Sequence, residues 1–105
     1  MSQGEAQFGI GQIIRHRRFG YRGVIIDVDA QFSLSDDWYD SVARSRPPKD
    51  KPWYHVLVHD HGQQTYVAER HLAEDDDPQP VEHPDLAEHF SEYRDGRYWA
   101  QRRMS

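Results

Sequence analysis

The sequence predicts a mainly β fold, a small antiparallel barrel with a C-terminal helix. Two stretches, Val24–Asp29 and Trp53–Asp60, alternate their side chains with the two-residue period of a strand. Glycine-containing connections set them off from further strand candidates, and short, strongly twisted strands of this kind suit a small barrel. With 105 residues, the chain is long enough for one domain.

The first two strands flank a glycine-containing bend. Phe8–Arg15 is the first strand candidate and Val24–Asp29 the second. Between them, His16–Gly23 is the connection, where Gly20 and Gly23 are free to adopt a positive φ or form a bulge. On the second strand, one face carries Val24, Ile26 and Val28, and the other carries Ile25, Asp27 and Asp29.

The third and fourth strands form a predicted hairpin. Trp53–Asp60 has the strongest alternation, and His61-Gly62 turns the chain back into Gln64–Ala68. A fifth strand is expected at 79–81. The residues expected in the core are Phe8, Ile26, Val28, Tyr54, Val56, Val58 and Val67.

The remaining segments are less regular. Residues 36–52 are predicted to be a long loop, and because seventeen structureless residues exceed the usual connection, it should be mobile or functional. An acidic linker over 74–80 precedes a helix that begins near Pro84, carries Leu86, Phe90 and Tyr93, and ends at Gly96. The expected organisation is a disordered N-terminus (1–7), a barrel domain (8–82), and a helix with a tail (83–105).

Composition excludes several classes of function. The chain has no cysteine, so disulfides, thiolate metal sites and a cysteine nucleophile are ruled out. No export signal or membrane-spanning stretch is recognisable, and a cytoplasmic protein is expected. The net charge of −5 resides in residues 74–105, with nine acidic and four basic residues, whereas 1–73 balance nine against nine.

Eight stretches of the chain together resemble one protein family. They are FGIGQ (8–12), RH (15–16), GY (20–21), GV (23–24), DVDAQFSLS (27–35), PWYHVLV (52–58), TYVAERHL (65–72) and EHPDL (82–86). They are similar to the HspQ family, also called the hemimethylated-DNA-binding or YccV-like family. The resemblance implies an SH3-like barrel and a small bacterial heat-shock protein.

The resemblance also implies two binding activities and no catalysis. One is promotion of the degradation of selected or denatured proteins, including the replication initiator, by an ATP-dependent protease. The other is binding to hemimethylated duplex DNA near the replication origin. Self-association is implied too, with a trimer as the first expectation. Arg17 and Arg18 depart from the family pattern, in which the two positions before Phe19 need not be basic.

The stretch RHRRFGYRGV over 15–24 gathers four arginines at one bend. Arginine is well suited to bidentate contact with phosphate, so an anionic partner is one interpretation. The other interpretation is a neutralising turn paired with Asp27, Asp29 or the acidic tail, because strand alternation points Arg15 and Arg17 away from His16 and Arg18. The candidate residues for nucleic-acid or anionic-partner binding are Arg15, Arg17, Arg18, Tyr21 and Arg22.

A second basic stretch, ARSRPPKDK over 43–51, would widen this surface only if its loop folds back, since loops after the first and second strands leave a meander at opposite ends. The loop aromatics able to pack on an adenine methyl group are Tyr21, Trp38 and Tyr39, although local packing is the commoner role of such residues.

Metal and catalytic sites are not expected. His55 and His59 share a strand face about 13 Å apart, too far for one ion, and His71 would join them only if the fold brings it close. Ser33 and Ser35 lie beside acidic residues but without a nucleophile motif. We expect no enzyme and no cofactor.

The end of the chain carries aromatic and arginine residues, the types that dominate protein interfaces. The candidates for protein-partner binding are Tyr98, Trp99, Arg102 and Arg103. This segment either docks on the barrel or stays free for recognition. The expected function is a non-enzymatic adaptor or specificity factor for proteolysis, with duplex-DNA binding as the alternative.

Overall fold

The computed structural model describes residues 6–77 and 79–100. Within these ranges the chain is mainly β, as the sequence predicts. The elements are β1 (Ile13–His16), β2 (Arg22–Asp29), α1 (Asp36–Val42), β3 (Trp53–Val58), β4 (Gln64–Ala68), a 3₁₀ turn (Glu69–His71), β5 (Leu72–Glu74), α2 (Leu86–His89), β6 (Glu92–Arg94) and β7 (Arg97–Trp99).

Five strands form one antiparallel sheet in the order β4-β3-β2-β1-β5. The fifth strand is Leu72–Glu74 rather than 79–81, because the 3₁₀ turn returns the chain beside β1, where Ala73 pairs with Arg15. Among the described residues, no strand joins the β4 edge to the β5 edge. A closed barrel therefore stays a prediction.

A bulge in β2 changes the predicted core. The register of β2 on β3 shifts between Ile25 and Asp27, so Ile26 is the extra residue. Ile25 is consequently fully buried, Ile26 is only partly buried, and Val28 joins the same core cluster as Ile25. Of the predicted core, Tyr54, Val56, Val58 and Val67 are buried, whereas Phe8, Ile26 and Val28 are partly buried.

The segment 36–52 is not structureless, because its first seven residues form α1. The Ser35 hydroxyl caps this helix by accepting from the Trp38 N–H (3.1 Å), and Asp36 and Asp37 favour its N-terminal dipole. The buried Tyr39 hydroxyl donates to the Pro47 carbonyl (2.6 Å). The first bond caps α1 and the second ties it to the following turn, while Tyr39 packs against Trp53 of β3 and Ala68 of β4.

The prediction of a helix from near Pro84 to Gly96 is also wrong beyond the first turn. α2 ends at His89, and the chain continues as the β6–β7 hairpin. The turn is Asp95-Gly96, with φ of 57° and 76°, a pair typical of a tight hairpin of primed type. Tyr98, on β7, is 8% exposed and packs with Phe90 over the sheet face that contains Leu57.

Candidate binding cavity

The arginine bend is held in place by His16. The His16 N–H donates to the Tyr21 carbonyl (2.8 Å), and the Gly20 N–H donates to the His16 carbonyl (2.8 Å). The His16 Nδ1 accepts from the backbone N–H groups of Arg18 (3.1 Å) and Phe19 (3.0 Å). Gly20 has a φ of 77°, which favours glycine. The bend is thus an ordered structure around a buried imidazole.

Two of its arginines are bound within the protein. Arg15 donates to the Asp75 carboxylate (3.0 Å), and Arg22 donates to the same carboxylate and to the Gln79 carbonyl (2.5 Å). The Arg22 side chain is only 11% exposed. Burial by itself would raise the pKa of Asp75, but the hydrogen bonds from Arg22 and Arg15 outweigh it and lower that pKa. The neutralising interpretation describes these two residues.

The other two arginines lie at the surface. Arg17 is exposed, and its Nε donates to the Leu72 carbonyl (2.9 Å). The exposed Arg18 places its guanidinium 5.7 Å from the centre of the Phe19 ring, and Phe19 itself is 71% exposed. The bend therefore presents an arginine and an aromatic ring to solvent together.

A cavity of about 700 Å³ opens beside the bend, and all five residues of β4 line it. Phe19 and Tyr21 line it from the bend, and Trp38 and Val42 line it from α1. Tyr21 is tied across to β4, because its hydroxyl lies 2.8 Å from the Thr65 hydroxyl. The fold thus brings the bend and the 36–52 segment together, although the sequence placed them at opposite ends of the sheet.

Aromatic rings give the cavity an apolar wall. The Tyr66 ring lies 5.2 Å from that of Trp53 and 5.6 Å from that of Trp38. The Tyr66 hydroxyl donates to Asp29 (2.7 Å), which fixes the ring. Among the described residues, the cations lining the cavity are Arg18 and Arg44, and no carboxylate lines it. The cavity therefore favours an apolar ligand with some negative charge.

Two histidines close one end of the cavity. The rings of His16 and His71 stack with their centres 5.6 Å apart, and His71 Nε2 lies 2.8 Å from the Ser45 hydroxyl. Burial lowers the pKa of both, and the nearby Arg18 lowers them further. Arg70 also donates to the Ser45 carbonyl (2.7 Å). The two imidazoles thus link the bend, through Ser45, to the second basic stretch.

The remaining predicted site residues are dispersed. Tyr39, one of the three aromatics considered for methyl contact, is buried, whereas Tyr21 and Trp38 line the cavity. Tyr98 is buried with its hydroxyl on the Val81 carbonyl (2.7 Å), which removes it from the surface open to a partner. Trp99 is 37% exposed, with Arg94 and Arg97 near its ring. Arg102 and Arg103 lie outside the described residues.

Within the described ranges, one group of potential metal ligands comes together, and it is not the set of histidines considered from the sequence. The ligand atoms of Asp27, Asp29 and His55 lie within 4.8 Å of one another. Asp29 already accepts from Ser33 (2.6 Å) and Tyr66, and it lies 3.1 Å from His55 Nε2. Hydrogen bonding accounts for this cluster without an ion.

Comparison with protein families agrees with the resemblance read from the sequence. A family model described as hemimethylated DNA-binding protein, YccV-like, matches residues 6–97. The chain belongs to the YccV-like family. The match spans the whole five-stranded sheet and every residue that lines the cavity. Among the described residues, no helix is long and apolar enough to cross a membrane.

The sequence prediction leaves out several features of the cavity and of the elements that build it. Phe19 lies with Tyr21 in a bend that is otherwise polar or glycine, and an aromatic residue in such a bend was the available signal. Ser35, followed by two aspartates, is a helix N-terminus that would have placed α1. The pairing of His16 with His71 depends on β1 meeting β5, and no local pattern announces it.

Proposed function

We propose that this protein is a non-enzymatic adaptor that promotes degradation of selected or denatured proteins by an ATP-dependent protease. The single observation that carries the proposal is the open, aromatic cavity beside β4. Unfolded proteins differ from folded ones in their exposed apolar side chains, and such a cavity is a suitable place to bind them. The family resemblance supports the same role, together with a stress-related, cytoplasmic setting.

The composition of the cavity fits a protein partner. Phe19, 71% exposed, and Val42, 57% exposed, are apolar side chains that line the cavity yet remain accessible to a ligand. Trp38, Tyr66 and Arg44 add the residue types that concentrate binding energy at protein interfaces. The arginine bend contributes less to this surface, because Arg15 and Arg22 are bound to Asp75.

Reconstituted proteolysis tests the proposal. A purified bacterial ATP-dependent protease degrades a heat-unfolded client with and without this protein, and we expect faster degradation with it and no hydrolysis by it alone. The variant F19A/V42A should reduce the stimulation several-fold. Ile10→Ala is the matched control, because Ile10 is 47% exposed but lies outside the cavity. Equal stimulation by both variants would contradict the role of the cavity.

The proposed adaptor self-associates, with a homotrimer as the expected state. The outer edge of β5 needs cover, and a neighbouring subunit is one way to supply it. Light scattering across micromolar concentrations measures the mass, and the monomer mass throughout would contradict the assembly.

A second candidate function is binding to hemimethylated duplex DNA, favoured by the description of the family. Arg18, Arg44 and Arg70 lie at or near the cavity, where they would contact phosphates, and the aromatic wall would accept an unstacked base. Fluorescence anisotropy on one duplex in hemimethylated and unmethylated form tests it. Three phosphate contacts give a slope of about −2.7 when the logarithm of the binding constant is plotted against the logarithm of the salt concentration. Equal, weak affinity for both duplexes would exclude it.

A further inference from the structure

The outer edge of β4 leaves backbone hydrogen-bonding groups unpaired. The β3–β4 ladder is flanked by hydrogen bonds from the Val58 N–H to the Gln63 carbonyl (2.9 Å) and from the Glu69 N–H to the Pro52 carbonyl (3.1 Å). Because bonded pairs alternate in an antiparallel ladder, Thr65 and Val67 point their backbone groups toward β3.

Gln64, Tyr66 and Ala68 consequently point theirs outward. No hydrogen bond from the described residues reaches the N–H or C=O groups of these three. Ala68 is only 3% exposed, whereas Gln64 is exposed and Tyr66 partly so. Gln64 and Tyr66 are thus the two outward-pointing residues of β4 that are not buried, and both line the cavity.

We infer that the cavity binds an extended segment of polypeptide as an added strand on β4, with an acidic residue near Arg18 or Arg44. This inference rests on the proposed function and names the ligand class of its site. Outward groups of alternate residues repeat about every 6.8 Å along a strand, each residue offering a donor and an acceptor. A second extended backbone satisfies both groups at that spacing, and a nucleic-acid backbone, which carries acceptors, does not.

The walls of the cavity define the side chains of the bound segment. Residues of a strand point alternately to its two sides, so one set would contact Phe19 and Tyr21 and the other Trp38 and Val42. Both sets of contacts are apolar. The lining cations, with no carboxylate among the described lining residues, favour an acidic residue in the segment over a basic one. The expected ligand is therefore an apolar, β-prone stretch with an acidic residue, of a kind buried in folded proteins and exposed in denatured ones.

A capped synthetic peptide tests the inference. The probe is fluorescein-Val-Glu-Val-Thr-Val-amide, whose dye is joined to the N-terminal nitrogen by an amide bond, with its affinity measured by anisotropy. Two further peptides carry N-methyl groups at alternate amides, one pattern for each side of the strand. We expect one pattern to abolish binding and the other to preserve it, because only the amides facing β4 donate to the protein. Retention of affinity by both patterns would overturn the inference.

Amide exchange in the parent protein provides a second readout that needs no variant. Peptide binding should slow exchange of the Gln64 and Tyr66 amides by at least tenfold, while Thr65 and Val67, already paired, change little. Arg44→Glu should weaken binding about fivefold, and Lys51→Glu, an exposed site outside the cavity, less than twofold. Unchanged exchange at Gln64 and Tyr66 would contradict strand addition.

The outcomes separate this inference from the proposed function. If the peptide adds to β4 but client degradation is not accelerated, the binding site is supported and the adaptor role is contradicted. If degradation is accelerated and depends on Phe19 and Val42, but the β4 amides are not protected from exchange, the adaptor role is supported and strand addition is contradicted. Displacement of the peptide by a second copy of the chain, seen as concentration-dependent self-competition, or binding of duplex DNA in place of the peptide, would assign the edge to that other partner and overturn the inference.

Discussion

Two aromatic surfaces of this sheet differ in what covers them. On one face, the C-terminal segment packs Phe90 and Tyr98 over Ile13, Val24 and Leu57, and all five are buried. Beside β4, rings of comparable size line a cavity that the described chain leaves open. The first surface is core and the second is available for binding, although the residue types are similar. Aromatic content alone does not distinguish a core from a site; the covering segment does.

The arginines of the bend show the same contrast between groups bound within the protein and groups open to a partner. Arg15 and Arg22 meet the acidic segment through Asp75, so their charge is neutralised within the protein. Arg18 lies beside Phe19, and with Arg44 it lines the cavity. Asp75, the partner of the first pair, lies 60 residues after Arg15 and 53 after Arg22, so the acidic segment accounts for two of the four arginines at this bend.

Removing one ring from each surface gives the largest expected contrast. Tyr98→Ala should lower the free energy of unfolding by about 3–5 kcal/mol, because it leaves a cavity in the core. Phe19→Ala should change it by about 0.5 kcal/mol, because the ring is 71% exposed. Urea unfolding measures both. Comparable losses of stability would mean that both rings belong to the core and that the surface beside β4 is not open for binding.

Asp75→Asn tests the neutralised arginines. The substitution keeps the shape of the side chain and removes the carboxylate charge that Arg15 and Arg22 share, leaving Arg22, among the described residues, only the Asp77 carboxylate at 3.7 Å, so we expect a loss of about 1–3 kcal/mol in stability. Asp40→Asn is the control, because its ion pair with Arg46 is exposed and should contribute under 1 kcal/mol. Urea unfolding at neutral pH measures both, and equal effects would contradict the internal role of Asp75.

The pH dependence of stability tests the His16 anchor. Because burial lowers the pKa of His16, the unfolded state binds a proton more readily than the folded state. Its contribution is therefore fully present above about pH 6.5 and is lost as pH falls toward the lower, folded pKa. Protonation at Nδ1 would also break the bonds from Arg18 and Phe19. Unfolding measured from pH 8 to pH 5 should show this loss in the parent and a smaller one in His16→Asn.

His61→Asn is the matched control, since His61 is exposed. It should retain the pH dependence of the parent. A parent whose stability is constant over this range, or a His16→Asn variant that loses as much stability as the parent, would mean that the imidazole does not hold the bend.

The sequence predicts the sheet well where alternation is strong. β3 and β4 coincide with the expected hairpin apart from the last residues of Trp53–Asp60. Because β3 is buried on both faces, the match rests on its β-branched and aromatic residues and on the His61-Gly62 turn. The bulge at Ile26 escaped prediction because it depends on pairing with β3. The C-terminal hairpin had a local signal in Asp95-Gly96, and the apolar spacing of Leu86 and Phe90 masked it.

The candidate site was predictable only in part. Arg18 and Tyr21 were singled out as charged and aromatic residues of a bend, and both line the cavity. On the opposite wall, Trp38 was considered as a loop aromatic, and the 43–51 stretch only on condition that its loop folds back. The helix α1, which carries Trp38 and Val42 to this wall, was not predicted. Local patterns describe elements, whereas a cavity belongs to contacts between residues distant in sequence.

Chemical-shift mapping tests the central claim most directly. A carboxymethylated, unfolded protein is titrated into the ¹⁵N-labelled parent, and amide shifts are recorded along the chain. We predict the largest changes at Phe19, Tyr21, Val42 and Tyr66, around the open cavity, and little change over the sealed surface at 86–99. Shifts concentrated on 86–99, or on the bound arginines and the acidic segment at 74–77, would contradict the account.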